Sequence, residues 1–295
     1  MSKFKAYRIH AGDKFGAGRF DTMSLADLDA GTVVLRIAYA SVNYKDALTA
    51  RGKAKIALRF PLVAGIDLAG TVEESADARF KAGDEVIVHS FGLGAEHDGG
   101  YAEFGRFPAD WVIPLPNGLS LFEANATGGV ASIAIDILAQ RGFHVVAMSG
   151  KADQYEYLRK LGASEIVARP PAGNERPLET PQYAGAVDSV GGAQLGWLLR
   201  RMQRDGVVAA FGNAGGAEFA GNVLPFILRG VRLLGVNVNN PYATMARLWQ
   251  RLATELRPRH LEKIARRIRF EELETAFDDL LNARVVGRRV VDFSL

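Results

Sequence analysis

Apolar and polar positions alternate through the first third of the chain. Thr32–Tyr39, Gly70–Val72 and Asp84–Val88 are short apolar or β-branched runs separated by Gly, Asp and Pro, the spacing of strands joined by tight turns. This pattern predicts a compact, barrel-like β-rich domain ending near Trp111–Pro116. After Gly118 the texture changes. Helical spacing over Ser132–Gln140 leads to a buried strand at Phe143–Met148, a helix at about Asp153–Leu161 and a strand at Ser164–Val167. The alternation continues through strand Ala186–Val190, helix Gln194–Met202, strand Gly206–Phe211 and strand Val231–Val236. Helices alternating with short apolar strands mark a parallel sheet. A long amphipathic helix at about Thr244–Leu256 precedes a tail from Ile264 whose last strand, Arg289–Phe293, is expected to return to the first domain. The fold class is α/β, with one domain over 1–118, completed by about 264–295, and a second over 119–263.

Composition narrows the chemistry. With 295 residues, 48% hydrophobic and 23% charged, the chain is an ordinary globular protein. The first residues hold no apolar run between a basic start and a small-residue cleavage site, which speaks against a secretory signal. No later stretch nears the roughly 20 apolar residues of a membrane helix, so a cytoplasmic address and no membrane partner are expected. Zero cysteines exclude disulfides, iron–sulfur clusters and thiolate zinc sites; no metal is expected. The net charge of +3 comes from 36 basic and 33 acidic residues without a long basic run. That suits phosphate-bearing small molecules better than nucleic acid.

One turn fits a phosphate. Thr127, Gly128, Gly129 and Val130 open the helical pattern that begins near Ser132, and such a turn aims free backbone amides at an anion. Alone, two glycines before a helix are more often a plain loop. The next strand, however, ends in Ser149-Gly150-Lys151, about 20 residues on, where a dinucleotide fold reads the adenosine ribose. An acidic residue there would repel a 2′-phosphate. Ser149 and Lys151 would hydrogen-bond and neutralise one, which favours NADPH; the plain alternative is a solvated lysine at a strand end. The strand that should precede the turn is lacking, because Leu119–Ala126 carries acidic, amide and small residues and reads as a loop or helix start. In the order 3-2-1-4-5-6 that first strand lies at the centre, so its loss leaves a hole in the middle of the sheet.

Seven segments, Ser41–Leu48, Gly65–Val72, His97–Glu103, Thr127–Ser132, Ala186–Gly192, Pro225–Arg229 and Gly287–Val291, together carry a resemblance over nearly the whole chain. In that order they resemble the acrylyl-CoA reductase branch of the zinc-independent quinone oxidoreductase-like enzymes, in the medium-chain dehydrogenase/reductase superfamily. The resemblance implies a GroES-like β-rich catalytic domain and a doubly wound parallel-sheet (Rossmann) cofactor domain. It also implies NADPH-dependent reduction of an activated alkene, with acrylyl-CoA giving propionyl-CoA. Three departures stand out. Between the segments matching Glu123 and Thr127 the family has about one β-α unit, roughly 30 residues, with the first strand of the cofactor domain; Asn125 stands where the family has the first glycine of its fingerprint; and Gly235–Asn239 replaces a stretch with aspartate and serine.

In zinc-dependent relatives a Gly-His-Glu stretch supplies metal ligands; here it is Gly65-Ile66-Asp67, with an apolar residue in the histidine's place. Without that Lewis acid, hydride addition to an alkene conjugated with a carbonyl is still accessible, provided donors meet the enolate and a proton follows. Asn43-Tyr44-Lys45-Asp46 offers such groups. If side chains alternate across a strand end, either Tyr44 with Asp46 or Asn43 with Lys45 shares a face. Tyr44 is assigned as enolate donor or proton source, with Asn43 and Asp46 fixing the ribose or the tyrosine; packing and capping are the plain alternative. Lys53, Lys55 and Arg59 form a basic cluster suited to coenzyme A phosphates, or simply a solvated loop. Arg169, Asn213 and Arg288 are further candidates for contacting the cofactor, although each is also an ordinary surface or turn residue. His89 and His97 form no hydrolase triad. A quinone or enone reductase, or a catalytically silent family member, are the alternatives, and strand Val231–Val236 is the expected homodimer edge.

Overall fold

The structure, a computed structural model, describes residues 3–12, 14–126, 130–169 and 176–295. They fall into two units, 1–129 with 239–295, and 130–238.

The first unit is β-rich. Strands β1 (Phe4–His10), β2 (Ala17–Met23) and β3 (Val33–Ser41) come before helix α1 (Tyr44–Ala50). Strands β4 (Leu62–Val63), β5 (Asp67–Ser75), β6 (Glu85–His89), β7 (Phe104–Phe107) and β8 (Val112–Pro114) precede helix α2 (Leu121–Ala126). Alternation in β3 puts Val33, Leu35 and Ile37 into one core with Leu68, Val72, Val86 and Val88, as a strand's period of two requires. Ser120 accepts from Glu123 N at 3.2 Å, and its own N–H donates to the Glu123 carboxylate at 2.8 Å. This reciprocal cap makes Leu121–Ala126 a helix.

The second unit alternates as the pattern predicts: α3 (Val130–Gln140), β9 (Val146–Met148), α4 (Tyr155–Lys160), β10 (Glu165–Val167), β11 (Tyr183–Asp188), α5 (Gly192–Arg200), β12 (Met202–Ala210), α6 (Leu224–Arg229) and β13 (Arg232–Gly235). The chain then returns to the first unit through α7 (Tyr242–Ala253), α8 (Leu261–Ile264), β14 (Ala265–Ile268), α9 (Leu273–Leu281) and β15 (Arg288–Asp292). Strand β15 pairs antiparallel with β3, setting Val290 opposite Ser41 and Asp292 opposite Tyr39.

The units divide at 129/130 and 238/239, not at the 118/119 and 263/264 expected from texture. The cause is packing. Ala124 of α2 and Met245, Trp249 and Ala253 of α7 bury against Ala69, Ile87, Ile113 and Leu119, so both helices belong to the β-rich unit.

The parallel sheet of the second unit is in two pieces, β10-β9 and β11-β12-β13, each parallel throughout. Read as the doubly wound order 3-2-1-4-5-6, these are positions 3 and 2, then 4, 5 and 6. Among the described residues no strand occupies position 1. The consequences are visible on both sides. Val187 of β11 is 42% exposed, although a central strand of a covered parallel sheet is buried on both faces. Helix α3, rich in isoleucine, buries only Ile133 and Asp136. Hydrogen exchange should show this directly: amides of β11 not directed at β12 exchange at loop-like rates, while those of β12 are protected. Uniform protection of β11 would contradict an open edge.

Candidate active site

The site in the first unit begins with two carboxylates that the fold sets side by side, Asp46 buried and Asp67 half-buried. Asn43 caps α1 from an extended conformation (φ −109°, ψ 156°), and its N–H donates to Asp46 Oδ2 at 3.0 Å. Strand β5 brings Asp67 next to this turn. Asp67 Oδ1 accepts from Ser41 N at 2.9 Å and from Ser41 Oγ, and Oδ2 accepts from Asn43 Nδ2 at 2.9 Å. The same Nδ2 donates to Asp46 Oδ2 at 3.0 Å. Tyr101 donates its hydroxyl proton towards Asp46 Oδ2 and Ser41 O, each at 2.9 Å. Asn125 of α2, with its amide oriented so that the oxygen accepts from Ala69 N at 3.1 Å, donates to Asp67 Oδ1 at 3.2 Å.

On the far side Arg288 closes the network. Its Nη1 donates to Asn43 Oδ1 at 2.6 Å and to Val42 O at 3.1 Å. The side chain is 7% exposed, and its buried Nε has no hydrogen-bond partner. A guanidinium held this way places a fixed positive charge beside the cleft, suited to an anion there. It lines a cleft of about 210 Å³ together with Val42, Asn43, Tyr44, Leu280 and Val285.

Burial sets the electrostatics. Removal from water, and then the negative charge of Asp67, push Asp46 up from 3.8 to about 7. Burial first, then Asp46 and Asp67, hold the Tyr101 phenol well above its usual range. His89, opposite Asp67 in the β5–β6 register, is lowered by burial, and its Nε2 faces the Trp249 indole N–H at 2.8 Å.

Tyr44, 46% exposed, is the member of the expected trio that faces outward. Asn43 and Asp46 point inward, and they meet each other because Tyr44–Ala50 is helical, where residues three apart share a face; the strand-like alternation expected for 43–46 does not apply. Lys53 and Lys55 are exposed. Arg59 is not available as a phosphate ligand: its Nε donates to Glu96 O and its Nη1 to Pro61 O, each at 3.0 Å, and its Nη2 pairs with Asp29 and, at 3.4 Å, Asp98. It braces the loop at 96–98 instead.

In the second unit, Ser149, Lys151 and Arg169 come together beyond the carboxyl ends of β9 and β10. Lys151 N donates to Ser149 Oγ at 3.1 Å, and the Arg169 side chain lies over Gly150, 3.3 Å from where a Cβ would stand. Val130 begins α3 and is exposed. Thr127, Gly128 and Gly129 lie outside the described residues. After β11, Asp188 accepts from Val190 N and Gly191 N at 3.0–3.2 Å. Gly191 (φ 67°) then packs so closely on the loop after β12 that a Cβ would sit 2.7 Å from Gly216 O. Asn213 is exposed on that second loop. Sequence reasoning missed Ser41, Tyr101 and Asn125 as site members, and used Asp67 only to mark a missing metal ligand. All lie in segments it singled out, but only strand register brings them together.

Residues 29–117 match the family model of the alcohol dehydrogenase GroES-like domain, and residues 129–254 that of the zinc-binding dehydrogenases. The chain is 39% identical to the acrylyl-CoA reductase AcuI of Ruegeria pomeroyi (strain ATCC 700808 / DSM 15171 / DSS-3) over 305 positions, 92% of each chain. It is 40% identical to YhfP of Bacillus subtilis (strain 168), named as a proposed quinone oxidoreductase, over 306 positions covering 92% of this chain and 93% of that one. That span exceeds the 295 residues of the whole chain, so the relative carries residues with no counterpart here. Among solved structures, the yhdH oxidoreductase of Salmonella enterica in complex with NADP superposes with a TM-score of 0.92 at 37% identity, covering 98% of this chain and 99% of that one. B. subtilis yhfP with NAD bound gives 0.94 at 38% identity, with 99% and 100% covered.

The raised Asp46 makes stability depend on pH. Between its ordinary 3.8 and about 7 the folded protein holds a proton that the unfolded chain releases, so this contribution to stability falls as pH rises through that window and is level above it. Asp46→Asn removes the titration. Its Tm relative to wild type should therefore climb by about 3 °C or more between about pH 4 and about pH 7; parallel Tm profiles would show that Asp46 titrates normally.

Proposed function

The chain belongs to the acrylyl-CoA reductase and quinone oxidoreductase-like branch of the medium-chain dehydrogenase/reductase superfamily, and from that membership we propose that this oxidoreductase uses NADPH to reduce the double bond of a small enoyl thioester such as acrylyl-CoA. The observation that carries the reading is the cleft in which the outward Tyr44 stands beside the fixed guanidinium of Arg288.

NADPH, when bound, supplies the hydride. The residues present fit it at the ribose end: the Ser149 hydroxyl donates to a 2′-phosphate while Lys151 and Arg169 neutralise it. The amides of Thr127–Val130 take the pyrophosphate, and Asn213 lines the rim after β12. On the substrate side, Tyr44 donates a hydrogen bond to the enolate oxygen or the proton to the α-carbon. Asn43 and Asp46 act one step back, holding the first turn of α1 so that Tyr44 projects into the cleft. Lys53 and Lys55 are the exposed cations left for coenzyme A phosphates, and Arg288 is the fixed cation of the cleft. Zinc does not fit Asp67, whose two oxygens already accept from Ser41, Asn43 and Asn125, and the chain has no cysteine.

A quinone or enone is the second reading, favoured by the small cleft and by the name of YhfP. Lys53→Ala with Lys55→Ala separates the two: KM should rise for the CoA thioester and stay unchanged for a small quinone. Lys151→Asp should weaken NADPH roughly tenfold or more and leave NADH nearly unaffected, and Tyr44→Phe should lower kcat about a hundredfold at unchanged Tm. A protein that binds no NADPH at saturation would be the silent family member instead.

The cytoplasm is the proposed location; among the described residues no helix is long and apolar enough to cross a membrane. A homodimer through β13 completes the proposal. This strand ends its sheet, and Leu234 and Val236 are each at least half exposed, as a self-pairing edge requires. Leu234→Arg should convert the dimer to monomer in sedimentation; an unchanged sedimentation coefficient would rule this edge out.

A further inference from the structure

One amide stands between two carboxylates, one buried and one half-buried, and a guanidinium. Asn43 gives its Nδ2 hydrogens to Asp46 at 3.0 Å and Asp67 at 2.9 Å. Its oxygen must then face the other way, towards Arg288 at 2.6 Å. The carboxylates thus decide where Arg288 sits without touching it. Asp67 is itself fixed from behind by Ser41 and by Asn125.

The same arrangement carries a variable charge. Burial and the charge of Asp67 push Asp46 up to about 7, so Asp46 gains its negative charge between mild acid and mild base. The other groups facing the pair do not offset this change. Tyr101 keeps its proton, being held well above its usual range. His89, beside Asp67 on β6, is lowered by burial. Arg288, from β15, is the cation linked to the pair, through the single Asn43 amide.

We propose that Asp67 and Asn125 are positioning residues for Arg288, acting through the Asn43 amide, and that the charge on the Asp46–Asp67 pair sets how strongly the cleft holds a phosphate. This rests on the proposed reading of Arg288 as the fixed cation of the cleft, and extends it to a phosphate of the bound ligand. With Asp46 protonated, the guanidinium has a surplus of positive potential for the ligand. A negative charge on Asp46, one amide away from the guanidinium, takes part of that surplus back, worth roughly a tenfold change in affinity.

The test is equilibrium binding to the full chain from about pH 5.5 to about pH 8.5, with NADH and 3′-dephospho-coenzyme A as separate probes. Both lack the phosphate monoester, which itself titrates near pH 6. The probe that meets the cleft should bind roughly tenfold more weakly at the alkaline end, with a midpoint near the Asp46 titration. Asp67→Asn removes the like charge and moves the midpoint down. Tyr101→Phe removes a donor that favours the charged form of Asp46, and moves it up. Asn125→Ala should weaken binding at every pH, with Asn125→Gln restoring part of it. Opposite shifts in the two midpoints support the proposal, because a general loss of structure would not produce them. Midpoints that stay in place or move together overturn it. If Arg288→Met binds both probes as tightly as wild type, the phosphate reading itself has failed.

Discussion

A carboxylate taken out of water must find donors, and two placed together cannot both be charged at little cost. In this chain that constraint falls on Asp46 and Asp67. Their donors come from Ser41 at the end of β3, Asn43 at the start of α1, Tyr101, and Asn125 in α2. Arg288 from β15 joins through the Asn43 oxygen. One polar knot therefore ties together a strand from the start of the chain, the helix after the last barrel strand and the returning tail. Because the knot is buried, each member is held by the cost of leaving its neighbours unpaired. That rigidity lets a single exposed side chain, Tyr44, project into the cleft from a fixed turn.

The second unit solves its packing differently. Its sheet lacks a central strand among the described residues, yet each piece has its own small core: Ala147, Leu158 and Ala163 on one side, and Leu195, Leu199, Met202, Val208 and Val231 on the other. Neighbouring parallel strands joined through helices bury most of their apolar surface locally. The loss of one position opens edges without dissolving the pieces. The groups that read a ligand in an open α/β sheet lie beyond the carboxyl ends of the strands, where Ser149, Lys151 and Arg169 follow β9 and β10, Asp188 ends β11 and Asn213 follows β12.

Much of this was legible in the chain itself. The period-two run of β3 and the amphipathic spacing that buries Met245, Trp249 and Ala253 of α7 follow from hydrophobic pattern alone. The acidic, amide and small residues of Leu119–Ala126 correctly deny a buried strand before the glycine turn. Pattern could not say that α2 and α7 pack on the β-rich unit, since an apolar helix face does not name its partner. Nor could it reveal the knot: Asp46 and Asp67 meet through the register of β3 with β5, which shifts between Ile37 and Tyr39, and Asn125 arrives from a helix whose docking is a tertiary event. Arg59 failed as a phosphate ligand for a similar reason, because its acceptors at Glu96, Pro61 and Asp29 are contacts that a local basic cluster does not disclose.

The knot also bears on which chemistry the site can support. A carbonyl polarised for hydride transfer needs strong positive charge at its oxygen, which a metal supplies in zinc-dependent relatives. Here Asp67 is occupied with orienting donors, and the fixed positive charge is a guanidinium anchored through Asn43. A guanidinium spreads its charge over a plane and binds oxyanions through directed hydrogen bonds. It is a weaker Lewis acid than a metal but an effective partner for an anion that already exists. An alkene conjugated with a thioester asks less of the site than an isolated carbonyl, because the substrate's own carbonyl delocalises the incoming electron pair and only the resulting enolate needs donors. Under the proposed function, a hydrogen-bonded carboxylate hub in place of metal ligation is compatible with conjugate reduction, the same residues that stabilise the fold also positioning the groups of the cleft.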